Sequence, residues 1–168
     1  MNLSTVITTA IDPALRLLPS RFDSPQARVM LLAIGLQESR FRTRLQEGGG
    51  PARGFWQFES GGGVKGIMTH PSVAHLTNAV CEKRNVLFSR PAIYKALAED
   101  DVLAAACARL LLWTDPKALP SRGDEAGSWA LYQRVWRPGK PHPETWPALY
   151  RMAVTQVYDT PAVAQGAV

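Results

Sequence analysis

The segment LLAIGLQESRF places a glutamate, Glu38, at the end of an apolar run. Val29, Met30, Leu31, Leu32, Ala33, Ile34 and Leu36 are apolar nearly all round a helix, the pattern of an element buried on every side. A carboxylate in the last turn of such a helix is disfavoured as an anion twice over. Apolar surroundings desolvate it, and the negative end of the helix repels it. Both effects raise its pKa, which is what a general acid working near neutral pH needs. The alternative is a surface glutamate paired with Arg42 one turn on.

Sixteen residues after Glu38 comes Gly54-Phe55-Trp56-Gln57-Phe58, set in a stretch with eight glycines between positions 47 and 66. Glycine lets a backbone approach a ligand closely, and Phe55, Trp56 and Phe58 offer flat apolar faces. Gln57 adds an amide donor and acceptor among them. Such a mixture suits a sugar chain, with hydroxyls at its edges and C–H groups on its faces. In the competing reading the aromatic rings fill the core beneath a loop.

These motifs resemble those of the lytic transglycosylase and goose-type lysozyme superfamily. That pattern is a Glu-Ser at a helix end, a Gly-Leu-Met-Gln-like segment a similar distance on, and a later Ala-Tyr-Asn-like segment. Here the first is Glu38-Ser39, followed by Arg40-Phe41, and the second is Gly54-Phe55-Trp56-Gln57, altered at its two middle positions. The third corresponds to the ALYQ of residues 130–133, with an inserted Leu131 and with Gln133 in place of asparagine. Trp136 echoes an aromatic that often follows, and the resemblance spans residues 26–136. It implies a lysozyme-like single domain, mainly α, with a glycine-rich loop or small β element near the active site.

The activity implied is cleavage of the β-1,4 bond between N-acetylmuramic acid and N-acetylglucosamine, so the partner is the glycan strand of bacterial peptidoglycan. Glu38 is then the general acid and base, and the Tyr132 hydroxyl orients or polarises it. Ser39, Gly54, Phe55, Trp56, Gln57 and Gln133 hold the substrate, and no metal or other cofactor takes part. In a transglycosylase the muramic 6-hydroxyl attacks and leaves an anhydro end. In a hydrolase a second carboxylate activates water, and Glu59 and Glu47 are nearest in sequence. The compact size, the missing signal and the RPGKP element look like phage-encoded members, an endolysin or a virion-associated lysin. Delivery would then be from the virion, or from the host cytoplasm with the help of a holin.

Other motifs fail. His70 and His75 lack HExxH spacing, GGGVKG lacks the ending of a phosphate loop, and no serine has nucleophile-elbow surroundings. Cys81 and Cys107 sit in helical patterns beside small apolar residues, where cysteine behaves as a buried hydrophobe.

The elements that must position these residues are helical. Periodicity gives helices over residues 3–18, with a kink at Pro13, and over 25–40, capped by Asp23 or Ser24. Further helices follow over 72–84, 91–99, 101–113, 124–136 and 144–158, while 47–66 reads as irregular loop. Residues 1–160 form one catalytic domain and 161–168 a frayed tail.

The 168 residues, 46% apolar and 20% charged, exclude wholesale disorder, collagen-like and disulfide-scaffold classes. The longest apolar run, Val29 to Leu36, is far short of the roughly 20 residues that span a bilayer. The N-terminal segment lacks the basic leader, apolar core and cleavage site of a secretory signal. Nineteen basic residues against fourteen acidic ones leave a charge of +5, gathered at Arg40, Arg42, Arg44 and Arg53 and again at Arg134, Arg137 and Lys140. The charge fits an anionic partner: cell wall, lipid or nucleic acid. A basic helical nucleic-acid binder is therefore one rival reading, although it leaves the glycine-framed aromatics unexplained. A catalytically silent sugar-binding or virion structural protein is the other.

Overall fold

Two apolar helices run through the core of the computed structural model, which describes residues 1–159 apart from the Glu47 side chain. These are α3 (Pro25–Ser39) and α7 (Asp101–Trp113), and each is buried along most of its length. The sequence dictates their limits. Ser24 starts α3 by accepting from the Ala27 N–H at 3.1 Å, with Pro25 in the first turn, and Arg40 ends it in a left-handed conformation. Asp100 starts α7 by accepting from the N–H groups of Val102 and Leu103, each at 3.0 Å. Asp23, the other expected cap of α3, instead pairs with Arg28 at 2.7 Å.

The remaining helices pack around this pair. The N-terminal segment is α1 (Leu3–Val6), a wide π turn (Ile7–Ile11) and α2 (Asp12–Arg16), which lies on α7. The wide turn falls where Pro13 withholds an N–H from the ladder. Then come α4 (Lys65–Thr69), α5 (Ala74–Lys83), α6 (Arg90–Ala96), α8 (Glu125–Trp136) and α9 (Trp146–Val154). Helix α9 lies along α3 and also touches α8, and a hydrogen bond from Tyr132 of α8 to Glu38 joins α8 to the last turn of α3.

The protein is mainly α, as the periodicity requires. The expected small β element is not present among the described residues. Around the GFWQF turn there are only isolated bridges, Leu45 with Arg53 and Arg53 with Phe58. Part of the expected loop is helical instead: a π turn over Ser60–Val64 leads straight into α4. Glycine's low helix propensity hides this helix, but Val64, Ile67 and Met68 carry helical apolar spacing, and Val64 and Ile67 are fully buried.

Both cysteines are free and buried, and burial pushes the Cys81 thiol up to about 11. No helix among the described residues is long and apolar enough to cross a membrane. The expected tail, 161–168, lies outside the described residues, as does the Glu47 side chain.

Candidate active site

Glu38 occupies the last turn of α3, half-buried, on an open groove of about 1780 Å³. The Tyr132 hydroxyl, from the middle of α8, donates to Glu38 Oε1 at 2.7 Å. The tyrosine has little freedom to move. Its ring stacks on Trp146 at 5.1 Å between centroids, Trp129 lies 5.3 Å away, and Trp146 Nε1 donates to Ser128 Oγ at 3.1 Å. Burial raises the Glu38 carboxyl to about 7; the tyrosine hydrogen bond opposes the rise and the charge of Glu59 adds to it. Burial, with the Glu38 charge, also pushes the Tyr132 phenol far above its usual range, so it stays a donor. The arrangement is a carboxyl that gives up or takes a proton near neutrality, held in one orientation.

Ser39 points the other way, into the protein. Its hydroxyl donates to the Phe55 carbonyl at 2.7 Å and accepts from the Phe41 N–H at 3.1 Å, clamping the GFWQF turn to the end of α3. Trp56 Nε1 donates to the Leu31 carbonyl at 2.8 Å, and Trp136 Nε1 donates to the Trp56 carbonyl at 2.9 Å. Gly54 has φ +74°, and a Cβ there would lie 2.6 Å from the Leu97 carbonyl oxygen. The close approach that this glycine permits is to the chain's own backbone.

The structure therefore corrects one part of the site read from the sequence. Phe55 and Trp56 are 1% and 0% exposed, packed edge-on against each other and against Phe41. They present no face to a sugar, and Gly54 does not line the groove. The segment acts as a buried anchor. Its outward product is Gln57, in a left-handed conformation at φ 49°, with its amide donating to the Gly54 carbonyl at 2.8 Å.

Glu38, Gln57, Glu59, Tyr132 and Gln133 line the one groove, and Ser39 borders it with its hydroxyl turned into the protein. Glu59 and Gln133 are exposed. The sequence did not single out Gln37, which also lines the groove, accepts from Thr145 Oγ1 at 2.9 Å and donates to the His142 carbonyl at 3.3 Å. It also missed Lys65, set beside the groove by the unexpected α4. Both basic clusters divide. Arg44 pairs with Asp101 at 2.7 Å and Arg134 with Asp115 at 2.9 Å, while Arg40, Arg42, Arg137 and Lys140 line the groove with no ion pair among the described residues. No group of three or more metal-ligating side chains occurs among the described residues.

Comparison with protein-family models, with curated proteins and with solved structures gave no match for the chain.

Proposed function

We propose that this protein is a peptidoglycan-cleaving glycosidase of lysozyme-like architecture, acting on the β-1,4 bond between N-acetylmuramic acid and N-acetylglucosamine with Glu38 as proton donor. The observation that carries the reading is the Tyr132–Glu38 pair: a carboxyl raised to about 7 and fixed by a 2.7 Å hydrogen bond at the wall of an open groove. The amides of Gln37, Gln57 and Gln133 along that groove suit the hydroxyl and N-acetyl groups of such a strand. The motif resemblance at Glu38-Ser39 and Gly54-x-x-Gln57 points the same way.

In this reading protonated Glu38 gives its proton to the glycosidic oxygen as the C–O bond breaks. The resulting carboxylate then takes a proton from the attacking group. If the muramic 6-hydroxyl attacks, one carboxylate suffices and the product is an anhydro end, which the motif spacing favours. If water attacks, Glu59 is the second carboxylate. Incubating the chain with purified peptidoglycan and weighing the released fragments tests both points. Fragments lighter by one water are expected; reducing muramic ends would make the protein a hydrolase, and no release would refute the proposal.

A further inference from the structure

The segment joining α8 to α9, residues 137–145, forms one wall of the groove through Arg137, Pro138, Gly139, Lys140 and His142. Its sequence gives it little to hold on with. Pro138, Pro141 and Pro143 have no N–H, and a Cβ on Gly139 would meet nothing within 4 Å. Among the described residues, its hydrogen bonds beyond the adjoining turns of α8 and α9 all go to one side chain, Gln37. The Gln37 amide oxygen accepts from Thr145 Oγ1 at 2.9 Å, and its nitrogen donates to the His142 carbonyl at 3.3 Å. Gln37 precedes Glu38 in the last turn of α3, so this wall hangs from the residue next to the proton donor. Thr145 stands at the N-cap of α9, where a threonine hydroxyl ordinarily accepts from the second or third helical N–H. Here it makes no such bond. Pro147 removes one of those donors, and the hydroxyl turns instead to Gln37, 108 residues away in sequence.

We propose that Gln37 and Thr145 are positioning residues, a clasp that holds the 137–145 wall in place for the glycan strand and so governs strand binding, leaving proton transfer to Glu38 and Tyr132. The inference rests on the cleavage reading above and deepens it. An unclasped wall would have to be ordered by each strand as it binds, and that cost falls on affinity. Gln37 keeps a second amide N–H and a second lone pair for the strand, so substituting it would mix two effects. Thr145 does not line the groove, so a change there reaches the strand through the clasp.

Thr145→Val keeps the side-chain shape and removes the hydroxyl. On soluble peptidoglycan strands its KM should rise about fivefold, the scale of one hydrogen bond, while kcat stays within about twofold. The midpoint of the pH profile should not move, and since no cap is lost the melting temperature should hardly change. Thr145→Ala should behave as Thr145→Val does, and Thr145→Ser should restore the KM of the unaltered chain. Titrating the same strands into Glu38→Gln, with and without Thr145→Val, should show Kd weakened by the same factor. An unchanged KM, a loss in kcat instead, a shifted pH midpoint or no rescue by Thr145→Ser overturns the inference. So does an early-melting Thr145→Val whose KM is unaltered, which would make the contact purely structural. If strands are cut but KM and Kd are indifferent to Thr145, the clasp falls and the cleavage reading stands. If nothing is cut but Thr145→Val still weakens strand binding, the cleavage reading falls and the clasp stands. A chain that binds no strand sinks both.

Discussion

Two glutamates share the groove, and their surroundings differ in almost every respect. Glu38 closes a helix buried on all sides, accepts a hydrogen bond from a tyrosine stacked on tryptophan, and has its pKa raised to about 7. Glu59 follows a tight turn, is exposed, and is one residue ahead of a glycine-rich π turn. The same functional group is a tuned acid in one place and a solvated charge in the other, because burial dominates over residue type. Yet the second bears on the first, since the charge of Glu59 helps to raise Glu38.

The contrast is broken most severely at its centre. Glu38→Gln keeps the side-chain volume and an acceptor for Tyr132 but removes proton donation, so cleavage should fall by about 10²–10⁴-fold. The same change should raise stability. Between the usual value of 4.5 and about 7 the folded state binds the extra proton, so stability is lost as pH rises through that window. Above it the glutamine variant, with no charge to bury, should be more stable by about 1–3 kcal/mol in a denaturant titration at about pH 8.

Gly54→Ala attacks the anchor on which the Glu59 side of the groove depends. Left-handed backbone and a close carbonyl should together cost about 2–4 kcal/mol, read as a lower melting temperature. Tyr132→Phe should reduce turnover about tenfold and stability by about 1 kcal/mol. Because that hydrogen bond holds the Glu38 pKa down, losing it should also move the alkaline limb of the rate profile to higher pH. Glu59→Gln sharpens the comparison by having the smallest effect, about fivefold at most in rate, the scale of one exposed charge. It should shift the same limb to lower pH, since a charge that raises Glu38 is gone. A large loss of activity, with reducing ends in the product, would instead give Glu59 the role of second carboxylate.

Much of the helical frame was legible in the sequence because its signals are local. Serine and aspartate caps and continuous apolar faces define α3, α7 and α8, and α7 falls on the expected residues 101–113. The small β element came from the resemblance alone, and α4 was misread because glycine marks a loop by propensity, whereas here Gly63 and Gly66 sit in helical turns packed against Phe58 and Leu111. The aromatic motif was misassigned because a flat apolar face is the same whether it meets a sugar or a core. Only the hydrogen bonds of Ser39, Trp56 and Trp136 reveal which. The contact of Tyr132 with Glu38 spans 94 residues, a distance that no local pattern carries.

The pH dependence of kcat/KM on soluble peptidoglycan strands, with Glu38→Gln as the blank, tests the central claim most directly. If Glu38 is the proton donor, kcat/KM should fall about tenfold per pH unit above a midpoint near the carboxyl's raised value of about 7, and the blank should be silent. A profile that is flat through neutrality, or activity that survives in Glu38→Gln, would contradict it.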